Sequence, residues 1–389
     1  MRWSWRSAVG IGLSVALLVW TLRDVELHAV WAVLRASNIA YFLAATLCAT
    51  LIFPLRARRW RTILSPIDPH VPFGALWRST AIGMMVNNVV PARAGELARA
   101  YALTREHRSI GFAAAFATLA IDRVFDAFVV LLLMLGAILS PSFPAGTHIA
   151  GQPIAKVLTF ATGVALLFLA ALYLVVFLPE RVIGLYEAFA RRVDPGVETL
   201  YRKMGRPAGP GLEARGRDAL LAFASGLGVL RHPGRFFSVM LWTLAHWLLN
   251  GLGYVIAFKA VGIAVPVQAA FFLQGVVAIG VAVPSAPGFF GIFEAASKTA
   301  LAVYGVDPTL AVSWAIGFHL LTLVPITLIG GYYFARLGLN FRELGDAQRG
   351  GGEPPRGEPG RDPSRPAAPE HAPSPRVAPE PGISGDATV

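Results

Sequence analysis

Long apolar runs separated by short arginine-bearing joints dominate this chain. A helix that crosses a ~30 Å hydrocarbon core needs about 20 mostly apolar residues. Six segments approach or exceed that length: Trp5 to Leu22, Ala40 to Leu55, Ile110 to Leu139, Ile154 to Leu178, Phe236 to Ala260 and Leu310 to Leu337. Two further apolar stretches, Phe73 to Tyr101 and Val267 to Tyr304, are broken by proline, glycine and polar residues and fail as single spans. They are predicted to be re-entrant hairpins.

The two broken stretches share a pattern. Val90-Pro91-Ala92-Arg93-Ala94-Gly95 and Val283-Pro284-Ser285-Ala286-Pro287-Gly288 both read V-P-x-x-x-G, 193 residues apart, and the same offset aligns the second and third spans with the fifth and sixth. An odd number of spans between the copies predicts an inverted repeat, with units at about 40–139 and 235–338, as in many transporters. Proline removes a donor and stops the incoming helix, while glycine permits a tight reversal. Backbone opened at membrane depth must be covered by protein or line a wet cavity. The outgoing helices would present free N–H groups and positive dipole ends toward the middle, an arrangement that attracts an anion such as phosphate.

Charge then sets the orientation. With Arg2 and Arg6 inside and both broken stretches re-entrant, the positive-inside rule also places Arg56, Arg58, Arg59, Arg61, the arginine-rich loop 180–235, Arg336 and Arg342 inside. The uncharged loop 140–151 falls outside. Both termini are therefore expected in the cytoplasm. Within the loop 180–235, Asp218 to Leu230 is apolar with arginines at its ends and predicts an amphipathic helix on the membrane surface. The first helix is read as retained rather than as a cleaved signal, because no small-x-small site ends its apolar run. Trp3, Trp5, Trp31, Trp60 and Trp77 near predicted span ends are expected to anchor at the interface. A transmembrane domain thus covers 1–345, and 346–389 is a Pro/Gly-rich tail without hydrophobic periodicity, read as disordered.

Composition agrees: 55% of residues are hydrophobic, 15% are charged, and mean hydropathy is +0.57. The 34 basic residues against 23 acidic ones lie beside apolar spans, which argues against nucleic acid as a partner. Cys48 is the single cysteine, so no disulfide framework or thiolate metal cluster is available, and no cofactor is expected. There is no phosphate-binding P-loop, no HExxH and no G-x-S-x-G turn.

Charge inside the spans is the remaining signal. IDRVFDAF puts Asp122, Arg123 and Asp126 in the third span, with the two carboxylates one turn apart on a shared face. Such residues are costly in a membrane and face partners or a cavity. Arg123 is expected to pair within this cluster or with Glu96; the cluster either binds substrate and protons or fastens the helix to the first hairpin. Glu294 follows the second break as Glu96 follows the first. His246, Asn250 and His319 read as interhelical hydrogen bonds.

P-x-R-x-G-E, then D-R-x-x-D in the next helix, then P-x-x-P-G and Glu294 resemble the flippase-like membrane family related to the transmembrane region of lysylphosphatidylglycerol synthases, which includes a hopanoid-associated subgroup. The resemblance spans Trp5 to about Leu339. It implies an all-α polytopic protein that moves a phospholipid or lipid-linked anionic head group between leaflets. It also implies that Pro91, Arg93, Gly95, Glu96, Asp122, Arg123, Pro284, Pro287, Gly288 and Glu294 are motif positions; Asn87, Asn88 and Asp126 join them as candidate substrate contacts from the residue reading. The synthases' aminoacyl-transferase domain has no counterpart in this sequence, so lysyl transfer is not expected. The alternatives are an integral membrane enzyme and an accessory subunit, with lipid-synthesis or cell-envelope proteins as partners.

Overall fold

A computed structural model describes residues 5–90, 94–144, 178–203, 232–282 and 286–350, with a few isolated positions between 148 and 174. These lie in the first of two units, Met1–Pro354; the second, Pro355–Val389, falls outside the described residues. So do most of the span predicted at 154–178, the predicted surface helix at 218–230, and the turn residues Pro91, Arg93 and Pro284.

The long apolar runs fold as helices that start close to their predicted limits, though α3 runs nine residues past its predicted end: α1 (Trp5–Leu22), α3 (Ile39–Leu64), α6 (Phe112–Ile138), α8 (Pro233–Ala260) and α11 (Pro308–Arg336). Each broken stretch is two short helices. The first gives α4 (Phe73–Val89) and α5 (Gly95–Glu106). The second gives α9 (Gln268–Ala282), a 3-10 turn at Pro287–Phe289, and α10 (Ile292–Ala302). Three more helices escaped the hydropathy reading: α2 (Leu27–Ala36), α7 (Pro179–Lys203) and α12 (Phe341–Gly350). A two-residue strand pair, His148–Ile149 with Gln152–Pro153, is the β-structure among the described residues.

α3, α8 and α11 are long and apolar enough to cross a membrane. Their outward rows are leucine-rich: Leu43, Leu47 and Leu51 on α3, Leu248 and Leu252 on α8, and Leu320, Val324 and Leu328 on α11 are all exposed. Rows at i, i+4 on one helix face form continuous apolar stripes, which suit lipid and not water. Small and polar residues turn inward instead, including Ala45, Ser79, Thr118 and Ser313. α6 has 27 residues, about 40 Å of helix, yet it carries Asp122, Arg123 and Asp126.

The packing pairs helices across the two halves: α3 with α8, α4 with α11, and α6 with α9. One apolar core holds the rings of Tyr254, Phe258, Phe293, Trp314 and Phe318, with Tyr254 5.2 Å from Trp314 and 5.1 Å from Phe318. A second gathers Ala57, Trp60, Ile63, Leu76, Leu103, Ile121 and Phe125. Trp60 is thus core rather than an interfacial anchor: it is fully buried, and its indole N–H donates to Thr118 Oγ1 at 2.9 Å.

The two breaks are built differently. Gly95 is the first residue of α5 and does not adopt positive φ. Its value is close approach: a Cβ there would lie 2.1 Å from the Gly83 carbonyl oxygen of α4. Gly288 does work through left-handed backbone, with φ 67°, and Gly291 follows at 84°. α1 closes over this second break. Ser14 Oγ accepts from Ala286 N–H at 2.8 Å, and a Cβ on Gly291 would meet the Ser14 carbonyl at 2.2 Å.

Candidate functional site

The sequence reading ended the second span at Leu55 and put Arg56 and Arg59 in a cytoplasmic joint. Instead α3 continues to Leu64, and both arginines are buried. Arg56 and Arg59 are three residues apart on the face that also carries Trp60 and Ile63, while Arg58 is exposed. They stay helical because carboxylates meet them inside the protein.

Asp122 and Asp126, one turn apart on α6, share those partners. Arg59 Nη2 lies 2.6 Å from Asp122 Oδ1, and its Nη1 lies 2.7 Å from Asp126 Oδ1 and 3.1 Å from Thr243 Oγ1. Arg99 of α5 reaches Asp122 Oδ2 at 3.2 Å and stacks over the Trp60 ring at 4.1 Å. Arg56 stands 3.9 and 3.8 Å from the two carboxylates. On α8, Trp247 Nε1 donates to Asp126 Oδ1 at 3.0 Å, and His246 lies 3.6 Å from the same oxygen.

Arg123 is the outward member. It pairs with Glu96 at 3.2 Å and with Asp126 at 3.3 Å, both partners that the sequence suggested, and its side chain keeps 37% exposure where Arg59 keeps none. Arg56, Arg59, Arg99 and Arg123 face Glu96, Asp122 and Asp126, an excess of one positive charge without counting His246. Removing one member of a buried ion pair typically costs about 3–5 kcal/mol because a charge is left stranded.

A cavity of about 540 Å³ opens beside this cluster, between α5, α6, α8 and α9. Glu96, Arg123, Asp126, Trp247, Asn250 and Gln274 supply its polar wall, and Val130, Val277 and Ala278 are among its apolar lining. Asn250 Nδ2 donates to Gln274 Oε1 at 3.0 Å, the interhelical bond expected for Asn250. Gln274 is buried and its Nε2, which lies against Gly251 of α8, has no acceptor, a deficit of about 1–3 kcal/mol.

The family's sequence profile, the lysylphosphatidylglycerol synthase TM region, matches residues 7–330 and so takes in every element of this site. The chain belongs to that family. Among curated relatives, glycosyltransferase AglD of Haloferax volcanii is 26% identical over 83% of this chain and 53% of its own length. The chain spans about half the length of that relative. A UPF0104 membrane protein of Pyrococcus horikoshii is 24% identical over 83% of this chain and 93% of its own. No solved structure is detectably similar.

For this family member, the remaining motif positions separate into two groups. Near the first break, Asn87 Oδ1 accepts the Gly95 N–H at 2.8 Å, and Asn88 Nδ2 donates to Thr327 Oγ1 at 3.0 Å. Both asparagines are bonded to the protein itself. The start of α5 therefore has one of its free N–H groups satisfied by Asn87, and Glu96 adds a negative charge to the same turn.

Around the second break, Pro287 and Gly288 form the turn, and Glu294 Oε2 accepts the Gly291 N–H at 2.6 Å. His319 bridges the break to α11: Nδ1 lies 2.7 Å from Glu294 Oε1 and Nε2 2.7 Å from the Gly288 carbonyl. Both neighbours are acceptors unless Glu294 is protonated. The carbonyl requires a proton on Nε2, and a further proton must lie between Nδ1 and the carboxylate. Farther along α10, Lys298 donates to the Thr21 carbonyl at 2.9 Å and approaches Asp24 at 3.6 Å, fixing α1 in place. Among the described residues no group of His, Cys, Asp and Glu side chains is arranged to hold a metal ion.

Proposed function

We propose that the protein is a lipid translocase in which the cavity beside Arg123 receives the anionic head group of a lipid while the acyl chains stay in the bilayer. The observation that carries this reading is a cluster of four guanidinium groups and three carboxylates whose outward arginine, Arg123, reaches the wall of a largely apolar cavity together with Glu96 and Asp126. A lipid phosphate matches both halves, since it pairs with a guanidinium and brings its own apolar tail. Arg93, two residues before Gly95 in sequence, is assigned to the same site. The pairing of α3 with α8, α4 with α11 and α6 with α9 is what a two-fold relation between the units 40–139 and 235–338 requires, and it supports an inverted repeat with six spans and two re-entrant hairpins. Alternating access would then rock one unit against the other, in the bacterial cytoplasmic membrane with both termini inside.

The test is leaflet exchange of a labelled phospholipid in proteoliposomes. Arg123→Gln, Glu96→Gln and Arg93→Ala are expected to slow exchange about tenfold or more without loss of folded protein. Wild-type rates in all three would sink the assignment. A competing reading, a membrane enzyme that modifies lipid head groups, draws on the name of the Haloferax relative. Lipid mass spectrometry of a deletion strain separates the two: a missing lipid species favours the enzyme, and an unchanged inventory with altered leaflet distribution favours translocation.

A further inference from the structure

The cavity is larger and chemically more varied than a phosphate needs. At about 540 Å³ it falls within the range of roughly 300–1,000 Å³ typical of small-molecule sites. Its charged members, Glu96, Arg123 and Asp126, lie at one end. The polar wall continues along α8 through Trp247, Asn250 and Tyr254, seven residues or about 10 Å of helix.

The groups along that wall are neutral. Gln274 is 2% exposed, and its Nε2 is a buried donor without an acceptor. The Asn250 amide that bonds it also stands beside the Tyr254 hydroxyl. Two amides joined by a single hydrogen bond keep a spare donor between them whichever way each is turned. Phosphate oxygens at neutral pH essentially only accept, whereas hydroxyl groups donate and accept, so a wall of amides and a phenol suits hydroxyls. Trp247, held by its bond to Asp126, adds an aromatic ring to the lining, a surface against which the C–H face of a sugar ring packs.

Resting on the reading of the cavity as an anionic lipid site, we propose that its ligand is a lipid phosphate carrying a sugar, with the phosphate at Arg123 and the sugar along Trp247, Asn250 and Gln274. The phosphate pairs with Arg123, the outward arginine of the cluster, the sugar hydroxyls meet the Asn250–Gln274 amide pair, and the lipid tail lies along the valines of the apolar wall.

The experiment uses the full chain in phosphatidylcholine nanodiscs and calorimetric titration with decyl phosphate, decyl phosphoglycerol and decyl phosphoglucose. The phosphoglucose ester is expected to bind at least about tenfold tighter than either other probe, because decyl phosphate offers no hydroxyls to the amide wall and phosphoglycerol offers only two, with no ring to pack on Trp247. In Gln274→Leu that ratio is expected to fall below about threefold. If the three probes bind alike, or phosphoglycerol binds best, while Arg123→Gln still weakens all of them, the sugar assignment is overturned and the anionic-lipid reading stands. If no probe binds, or Arg123→Gln binds each as the wild type does, that underlying reading falls and takes this one with it. Should Gln274→Leu not fold, the wild-type ratio alone decides.

Discussion

Replacing Arg59 by methionine separates the structural part of the charge cluster from the part that faces the cavity. The substitution keeps an unbranched stem to pack and removes the guanidinium. Arg59 is fully buried and touches Asp122 at 2.6 Å and Asp126 at 2.7 Å, so both carboxylates lose their shortest ion pair. Stranding a buried partner costs about 3–5 kcal/mol. Domains of 150–250 residues lose about 2–4 °C of melting temperature per kcal/mol, and a longer chain sits at the low end, which gives about 6–10 °C here. Arg123→Gln is the contrast. With 37% exposure and contacts at 3.2 and 3.3 Å, it resembles a partly exposed pair of about 1 kcal/mol or less and is expected to melt within about 2 °C of wild type while losing lipid exchange. The assay is thermal unfolding in one fixed detergent, followed by intrinsic fluorescence, with exchange measured on the same preparations. Adding Asp122→Asn to Arg59→Met removes one stranded charge and should recover part of the loss. A shift below 2 °C for Arg59→Met, or an equal shift for Arg123→Gln, would refute the division of labour.

Three further outcomes follow from local geometry. Gly95→Ala places a methyl 2.1 Å from the Gly83 carbonyl and should cost about 1–3 kcal/mol by forcing α4 and α5 apart, whereas Gly136→Ala, with nothing within 4 Å, should leave the melting temperature unchanged or slightly raised. His319→Leu leaves the Gly288 carbonyl without its donor and Glu294 Oε1 without its partner, so hydrogen exchange should quicken across 287–294, with a cost of about 1–3 kcal/mol; unchanged protection there would show that the bridge does not hold the break. Asp68, in the loop between α3 and α4, accepts from the His70 N–H of its own loop and from His107 and Ser109 of the loop between α5 and α6, which hold its carboxyl down to about 2. A depressed folded value contributes stability above the ordinary carboxylate range that is lost as pH falls through about 2. The stability gap between wild type and Asp68→Asn should therefore be full at pH 6 and shrink between pH 4 and pH 2; a gap independent of pH would show that the ionised form is not the one bonded.

Hydropathy made the large elements legible because a helix in lipid announces itself by length and apolar content. α1, α3, α6, α8 and α11 begin within four residues of their predicted starts. It missed α2 because ten residues fall far below a membrane span, and α12 because its mixed polar sequence resembles the tail that follows; both are held by contacts the sequence does not display, such as Glu343 accepting from Arg105 at 2.9 Å and from Tyr101 at 3.2 Å. The motif also misled about Gly95. Glycine after proline suggests a tight turn, yet that glycine serves helix crossing, and only a second helix face, carrying Gly83, gives it a reason.

The buried arginines show why the site was only half visible. Asp122, Arg123 and Asp126 were found because charge inside an apolar helix is conspicuous. Arg56 and Arg59 sit at the end of an apolar run, where arginines ordinarily mark the membrane surface, and position alone cannot tell a surface arginine from one whose helix continues inward. Their spacing was the available clue: Arg56, Arg59, Trp60 and Ile63 share a helix face, and Arg58 does not. Counting them changes where an anion is drawn. A helix N-terminus offers roughly half a unit of positive charge, and here Asn87 and Glu96 meet one such end while Glu294 meets the other. Four guanidinium groups against three carboxylates leave a whole unit of charge, in surroundings that screen it less than water does. On the proposed reading, the arginine surplus on α3, α5 and α6 rather than a helix end draws the anion, and Arg123, which reaches the cavity beside Glu96 and Asp126, is where the lipid phosphate would meet it.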